Sequence, residues 1–397
     1  MPTLFRDDIG GLMDHELWWH NHYDWFQECG YTLRSRYQAD WVPSWKGSPR
    51  WYAHLISPDG IAMWSPFVLD ATRNCDGEPV ALKRVHRSVH PYEVDIGRYL
   101  CSPALSSDKR NHCCPVLEVL QDPTDADIQI IVMPFLRKFY DPKFVTIGEA
   151  IDFFRQAFEG LQFMHEHHVA HRYRRLPRLS TASDKFPRDC MRLNIMYDPR
   201  PMFPEPYHPM FTDKSLDFKR SVSHYSRTKR PCRYYWTDFG LSRQYEPDDV
   251  HPEENIILGG DRTVPEFKDE HVFTHNPYHT DLYYLGNLIR EDFLQKYSNL
   301  EFMYHLIARM IKPKPEQRPT MDEAVRMLDA VISKLPWWKL RARLRRRKDD
   351  VVLHFLKDVG HTFRTASYLL LRIPAVPVGP DTVETVVRYK KVDLPHA

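Results

Sequence analysis

Apolar and polar positions alternate with different periods along this chain, and the changes of period mark out its elements. Around Leu17 to Phe26 the spacing predicts an amphipathic helix, inside a dense aromatic cluster of Trp18, Trp19, Tyr23, Trp25, Phe26 and Trp41. The plain reading of residues 1–50 is an N-terminal extension packed on the main body. From about residue 51 to 134 the pattern turns strand-like. Phe67 to Ala71 and Pro79 to Val85 read as two β-rich runs, joined by a turn over Asn74 to Gly77 with Asp76-Gly77 as its hairpin signal. His90 to Leu100 then reads as a short helix and Ile128 to Met133 as a buried strand. Over residues 147–168 the apolar positions Ile151, Phe154, Phe158, Leu161 and Met164 return to helical spacing. Strands followed by helices predict an α+β protein with two unlike lobes, and no internal repeat interrupts the order.

Composition narrows the function classes. The 55 Lys and Arg against 53 Asp and Glu leave a net charge of +2, which argues against nucleic-acid binding through overall charge. A 42% hydrophobic content excludes global disorder. Glycine is sparse at 15 and proline abundant at 32, so any glycine-dependent phosphate loop is suspect. Asp7 and Asp8 stand where a secretory signal carries positive charge, so an intracellular protein, cytoplasmic or nuclear, is expected. The longest apolar run, Ala366 to Val378, is broken by Arg372, Pro374 and Pro377, and no transmembrane segment is expected. The 7 cysteines suit reduced thiols. His112, Cys113 and Cys114 are poorly spaced for tetrahedral zinc and read as structural. His20 and His22, two apart on a helix, point in different directions and make a poor metal pair.

The candidate chemistry lies in an ordered series of motifs. Lys83, in VALKRV, is followed by Glu93 in YEVDIGRYL, the residue types of an ion pair that holds nucleotide phosphates. Taken alone, such a pair is a surface salt bridge of little worth. Then come His171-Arg172 ending VAHR, Asn194 in DCMRLNIM, and Asp238-Phe239-Gly240 after YYWT. In this order the motifs resemble those of a eukaryotic protein kinase domain over roughly residues 60–335, most like the divergent kinase-like proteins of fungi. The likeness continues in Pro265-Glu266 of VPEF, Asp281 of TDLYYLG and Arg318 of PEQRPTMDEA.

The resemblance implies a bilobed kinase-like fold, with an N-lobe over 51–134 and a C-lobe over 135–335. The C-lobe would carry inserts near 173–188 and 198–232, and a basic tail would follow over 336–397. It implies that Arg318 and Glu266 form a structural ion pair and that Asp281 is buried in a long central helix. It further implies ATP and Mg²⁺ as cofactors and a protein substrate. Lys83, held by Glu93, would contact the α and β phosphates, and Asn194 and Asp238 would bind Mg²⁺ through oxygen. Val68 and Ala81 would line the nucleotide, Met133 would be the gatekeeper, and the backbone of Pro134 and Leu136 would face the adenine. Proline at 134 keeps its carbonyl as an acceptor, so the donor would come from Leu136. Asp189 would orient the substrate hydroxyl and take its proton, with Asp184 a weaker candidate.

Several positions depart from the family pattern. Tyr173 to Arg188 separate His171-Arg172 from Asp189, and removing those 16 residues restores HRDCMRLN. The segment is either a true insertion or an in-frame intron retained in the coding sequence, and the clean rejoining favours the intron. Met191 replaces a catalytic-loop lysine, with Arg192 adjacent. The glycine-loop positions that precede Val68 fall on Ile61, Met63 and Pro66, with Gly60 nearby. Residues 195–237 form a long connection that shapes access to the cleft or is disordered. Ser242, Tyr245 and Thr263 are candidate phosphoacceptors, and the acidic run Glu246, Asp248, Asp249, Glu253 and Glu254 is a candidate mimic of a phosphate facing Arg172. The stretch Lys339 to Lys348, beside Trp337 and Trp338, reads as an anionic-membrane patch, a nuclear-import signal or a solvated helix face. The expected function is therefore an ATP-dependent kinase acting on protein hydroxyls, of the serine/threonine class. The alternatives are a pseudokinase scaffold and a nucleic-acid or membrane adaptor driven by the tail.

Overall fold

The computed structural model describes residues 11–60, 65–172, 194–249, 251–256, 263–268 and 273–379. The chain is α+β and divides into two compact units: Met1–Val89 with Val116–Leu136 and Pro199–Tyr225, and His90–Pro115 with Arg137–Asp198 and Ser226–Ala397. The boundary expected after residue 50 thus falls inside the first unit, and the expected 198–232 insert is shared between both.

In the first unit, helices α1 (Leu17–Asn21) and α2 (Tyr23–Glu28) replace the single expected helix, with a break at His22. Strands β1 (Tyr31–Leu33), β2 (Val68–Arg73), β3 (Pro79–His86), β4 (Glu118–Gln121) and β5 (Ile128–Pro134) follow. They form one antiparallel sheet in the order β1-β2-β3-β5-β4. The expected hairpin joins β2 to β3, with Gly77 at a positive φ of 72° that suits glycine. Alternation along the strands gives the sheet two different faces. One face carries Tyr31, Leu33, Leu69, Ala71, Val80, Leu82, Ile130 and Val132, and Trp19, Phe26 and Tyr37 cover it. The sheet curls round this aromatic layer, so that Tyr31 on one edge strand donates to Glu118 on the other at 2.5 Å. The N-terminal aromatic cluster is therefore half of a core. Its two histidines are used separately: His20 bonds the Tyr37 carbonyl and His22 meets Asp122.

The second unit begins with α3 (Glu93–Leu100) and α4 (Pro103–Ser106). Strand β6 (Arg137–Lys138) leads to α5 (Ile147–Glu166), which is capped by Thr146 and carries the buried Ile151, Phe154, Phe158, Leu161 and Met164. Short strands β7 (Val169–Ala170), β8 (Ile195–Tyr197), β9 (Tyr234–Trp236), β10 (Arg243–Gln244), β11 (Glu254–Asn255) and β12 (Thr274–His275) come next. They pair as β6-β8-β9, β7-β10 and β11-β12. Helices α6 (Pro277–Ile289), α7 (Tyr304–Met310), α8 (Met321–Ile332), α9 (Trp337–Arg341) and α10 (Val351–Leu370) complete it. The basic stretch after α9 is not a free tail. Leu344 is buried and its N–H bonds the Val145 carbonyl, while Ile147 N–H bonds Ala342. Among the described residues no helix is long and apolar enough to cross a membrane.

Candidate functional site

The second face of the sheet in the first unit carries the residues expected to line a nucleotide. Val68 lies opposite Lys83, Lys83 opposite Ile131, and Ala81 opposite both Asp70 and Met133. Strand alternation thus puts Val68, Ala81, Lys83 and Met133 on one face, away from the aromatic layer. Pro134 ends β5 opposite Val80, and Leu136 is buried just beyond. Asp70 shares this face and is paired with Arg34 at 3.3 Å.

Where a short glycine loop would join β1 to β2, residues 34–67 intervene. Ile61 and Met63 lie outside the described residues. Gly60 closes a 3₁₀ turn, Pro58–Gly60, in which an added Cβ would collide with the His54 carbonyl. The turn is anchored by Asp59, which accepts from Trp41 Nε1 and Ser44 N at 3.0 Å each, while Arg36 donates to its carbonyl at 2.6 Å.

Part of the long connection between β8 and β9 folds onto the same unit. His208 Nδ1 accepts from the N–H groups of Met210 and Phe211, which leaves Nε2 as the donor to the Pro58 carbonyl at 3.0 Å. Burial, reinforced by Arg34, lowers the His208 pKa and keeps this neutral tautomer. Tyr207 packs against Phe135, ring centroids 6.2 Å apart. No sequence period announced this segment; its aromatic and histidine content was the available signal.

In the second unit, the remaining motif residues converge. The N–H groups of His171 and Arg172 donate to the two carboxylate oxygens of the buried Asp281, at 2.7 and 2.8 Å. His171 Nε2 bonds the Thr237 carbonyl at 3.0 Å, and its ring packs on Trp236 and Phe239. The β8–β9 ladder continues one step beyond its strands, since Thr237 N–H donates to the Asn194 carbonyl at 2.8 Å. Asn194 therefore sits beside Thr237-Asp238, and Asp238 is exposed with φ at 66°, a strained value for aspartate. Around Gly240 a side chain would be crowded. A Cβ there would lie 3.0 Å from Glu93 Oε2, 3.1 Å from His90 Nδ1 and 3.4 Å from Asp238 Oδ1. Glu93, Asn194 and Asp238 thus belong to the second unit and Lys83 to the first. Asp189, with Asp184, Met191, Arg192 and all of Tyr173 to Arg188, lies outside the described residues.

The segment after Gly240 is tied down by side chains. Arg172 reaches Glu254 at 3.2 Å, and the Tyr245 hydroxyl donates to the same carboxylate at 3.1 Å. Of the acidic run, it is therefore Glu254 that faces Arg172. Burial and Glu254 raise the Tyr245 pKa. Ser242 is fully buried and donates to the His171 carbonyl, so it is a structural hydroxyl and not an accessible phosphoacceptor. Further on, Arg318 and Glu266 form a buried bidentate pair at 2.8 and 2.6 Å.

Some contributors carry no motif. His112 bonds the Tyr234 carbonyl, and Cys113 bridges to Trp236, where Cys114 N–H also bonds. Arg227, expected in a loose insert, is buried and donates to the Phe139 and Pro142 carbonyls, while Thr228 bonds Glu149. Among the described residues no three His, Cys, Asp or Glu side chains gather as a metal cluster. Comparison with family models and with curated proteins gives no match.

Proposed function

We propose that the chain is a kinase-like phosphotransferase that uses ATP and Mg²⁺ to phosphorylate protein hydroxyls. The observation that carries this reading is the antiparallel pairing of β8 with β9. It sets Asn194 beside Asp238 while His171 and Arg172 are pinned to Asp281. A carboxylate and a carboxamide are hard oxygen donors that suit Mg²⁺. Bound there, the metal would supply charge neutralisation at the transferring phosphoryl group. Lys83, on the Val68, Ala81 and Met133 face, is the cation for the α and β phosphates, and Glu93 is its candidate holder. Asp189 is the candidate base. Glu254 takes the place of an activation-segment phosphate, because its carboxylate already pairs with Arg172.

A second reading is a pseudokinase scaffold. It is favoured by the 34–67 connection and by His208 and Tyr207, which fold against Pro58 and Phe135 on the unit that bears Lys83. One experiment separates the two. Mg²⁺-dependent ATP binding and autophosphorylation are measured on the full chain and on a chain lacking Tyr173 to Arg188, with Asp189→Asn as control. Turnover that falls about 10²- to 10⁴-fold in the control supports the kinase. No turnover in either chain supports the scaffold. For an active chain, phosphatase treatment leaves activity unchanged while Glu254→Ala lowers it; loss of activity on phosphatase treatment would exclude the mimic.

A further inference from the structure

Helix α10 is built inside out. Its polar stripe, His354, Asp358, His361, Thr365 and Tyr368, repeats at alternating spacings of four and three, one face of a helix. That stripe faces the protein. Arg343 donates to Asp358 at 2.8 Å and meets His354 at 3.0 Å, His361 bonds the Arg341 carbonyl at 2.8 Å, and Tyr368 meets Ser226 at 2.6 Å. The opposite stripe, Val352, Leu356, Val359, Phe363, Ala366 and Leu370, has the same periodicity and contains no charge. It faces outward: Phe363 is 74% exposed, Leu370 85% and the adjoining Phe355 67%, against 8% for Tyr368. A helix of 20 residues is about 30 Å long, and a continuous apolar stripe of that length is costly to leave in water.

We propose that this stripe lays the protein on an anionic membrane surface, with α10 lying in the plane of the interface. Charge selects this occupant. Residues 336–373 carry ten Lys or Arg against three Asp, and Lys348, Arg364 and Arg372 are exposed. A second copy would bring like charge against like, whereas phosphatidylserine headgroups offer the opposite sign. The basic residues at Arg343, Arg345 and Lys357 are already paired with Asp358 and Asp349, so the apolar stripe supplies the docking face and the excess charge supplies the attraction. An uncharged apolar face bordered by cations is the pattern of an interfacial helix.

The test is flotation of the full chain with vesicles of phosphatidylcholine alone or with about one-third phosphatidylserine, at low and high salt. Binding is expected to the phosphatidylserine vesicles, weakened by salt. Leu356→Glu with Phe363→Glu should lower it about 100-fold. Arg364→Glu should weaken it without changing the thermal melt. The outward positions tolerate these changes, and an unchanged melt of the double variant verifies that it folds. Failure of the full chain to float, or equal flotation of the folded double variant, would overturn the proposal. So would a concentration-dependent dimer in sedimentation that the double variant abolishes while vesicles bind neither protein.

Discussion

Arg318 donates two hydrogen bonds to Glu266 and three more to the carbonyls of Lys312, His279 and Pro313, and its side chain is fully buried. Removing one partner of such a pair leaves an uncompensated charge, so Glu266→Ala should cost about 3–5 kcal/mol in urea unfolding, whereas a surface pair would cost under about 1 kcal/mol. Asp152 behaves in the opposite sense. Burial pushes its pKa from 3.8 up to about 7, opposed by a hydrogen bond from Gln156, and its other oxygen has no hydrogen-bond partner among the described residues. The folded state therefore holds a proton that the unfolded chain releases near pH 4. Stability from this group is fullest below about pH 4, falls by about 2–4 kcal/mol as pH rises toward 7, and levels off above. Unfolding free energies measured across that window should slope less in Asp152→Asn. The Arg318–Glu266 pair was legible because both residues sit in motifs with fixed neighbours. Asp152 was not, since nothing in its helical spacing distinguishes a buried carboxylate from an exposed one. Choosing Glu254 from five acids, and excluding Ser242 as an acceptor, likewise required the path of the backbone.

Elements with a clear period were legible, and short ones were not. The hairpin β2–β3, strand β5 and helix α5 match their expected spans to within a few residues, because their apolar positions repeat often enough to define a face. Strand β1 has three residues, too few for a period, and β4 is only half-buried. That is why the N-terminal aromatic cluster reads as an extension in the sequence and forms part of a core in the structure. Phe26→Ala, at a fully buried site, should cost about 3–5 kcal/mol, and thermal or urea melts would check this. The packing of the basic stretch is hidden in the sequence for a related reason. Its run of arginines, read as a membrane patch, an import signal or a solvated face, does not announce a buried residue, yet deletion of residues 336–348 removes the buried Leu344 and both backbone bonds to the start of α5. Such a deletion should lower the melting temperature as well as alter any partner binding.

At the scale of the whole molecule, the chain passes between its two compact units five times. Neither unit is a continuous stretch of sequence, so neither can be cut out by a single pair of termini. A fragment spanning 137–379 lacks His112 and Cys113, which bond and bridge to Tyr234 and Trp236. It should lack the sharp calorimetric transition of the full chain; a fragment with an unaltered, cooperative melt would show that residues 90–115 are dispensable. This interleaving was invisible in the sequence, where the expected domains followed one another in order. The aromatic layer of α1 and α2 adds a consequence in time. It packs on β5, whose residues lie about a hundred positions later in the chain. At a synthesis rate of roughly 5–20 residues per second, Trp19 and Phe26 wait about 5–20 seconds for the strand that shelters them. Until β5 has been made those rings have no complete sheet to cover, and apolar surface exposed for that long is the kind that aggregates or is held by chaperones.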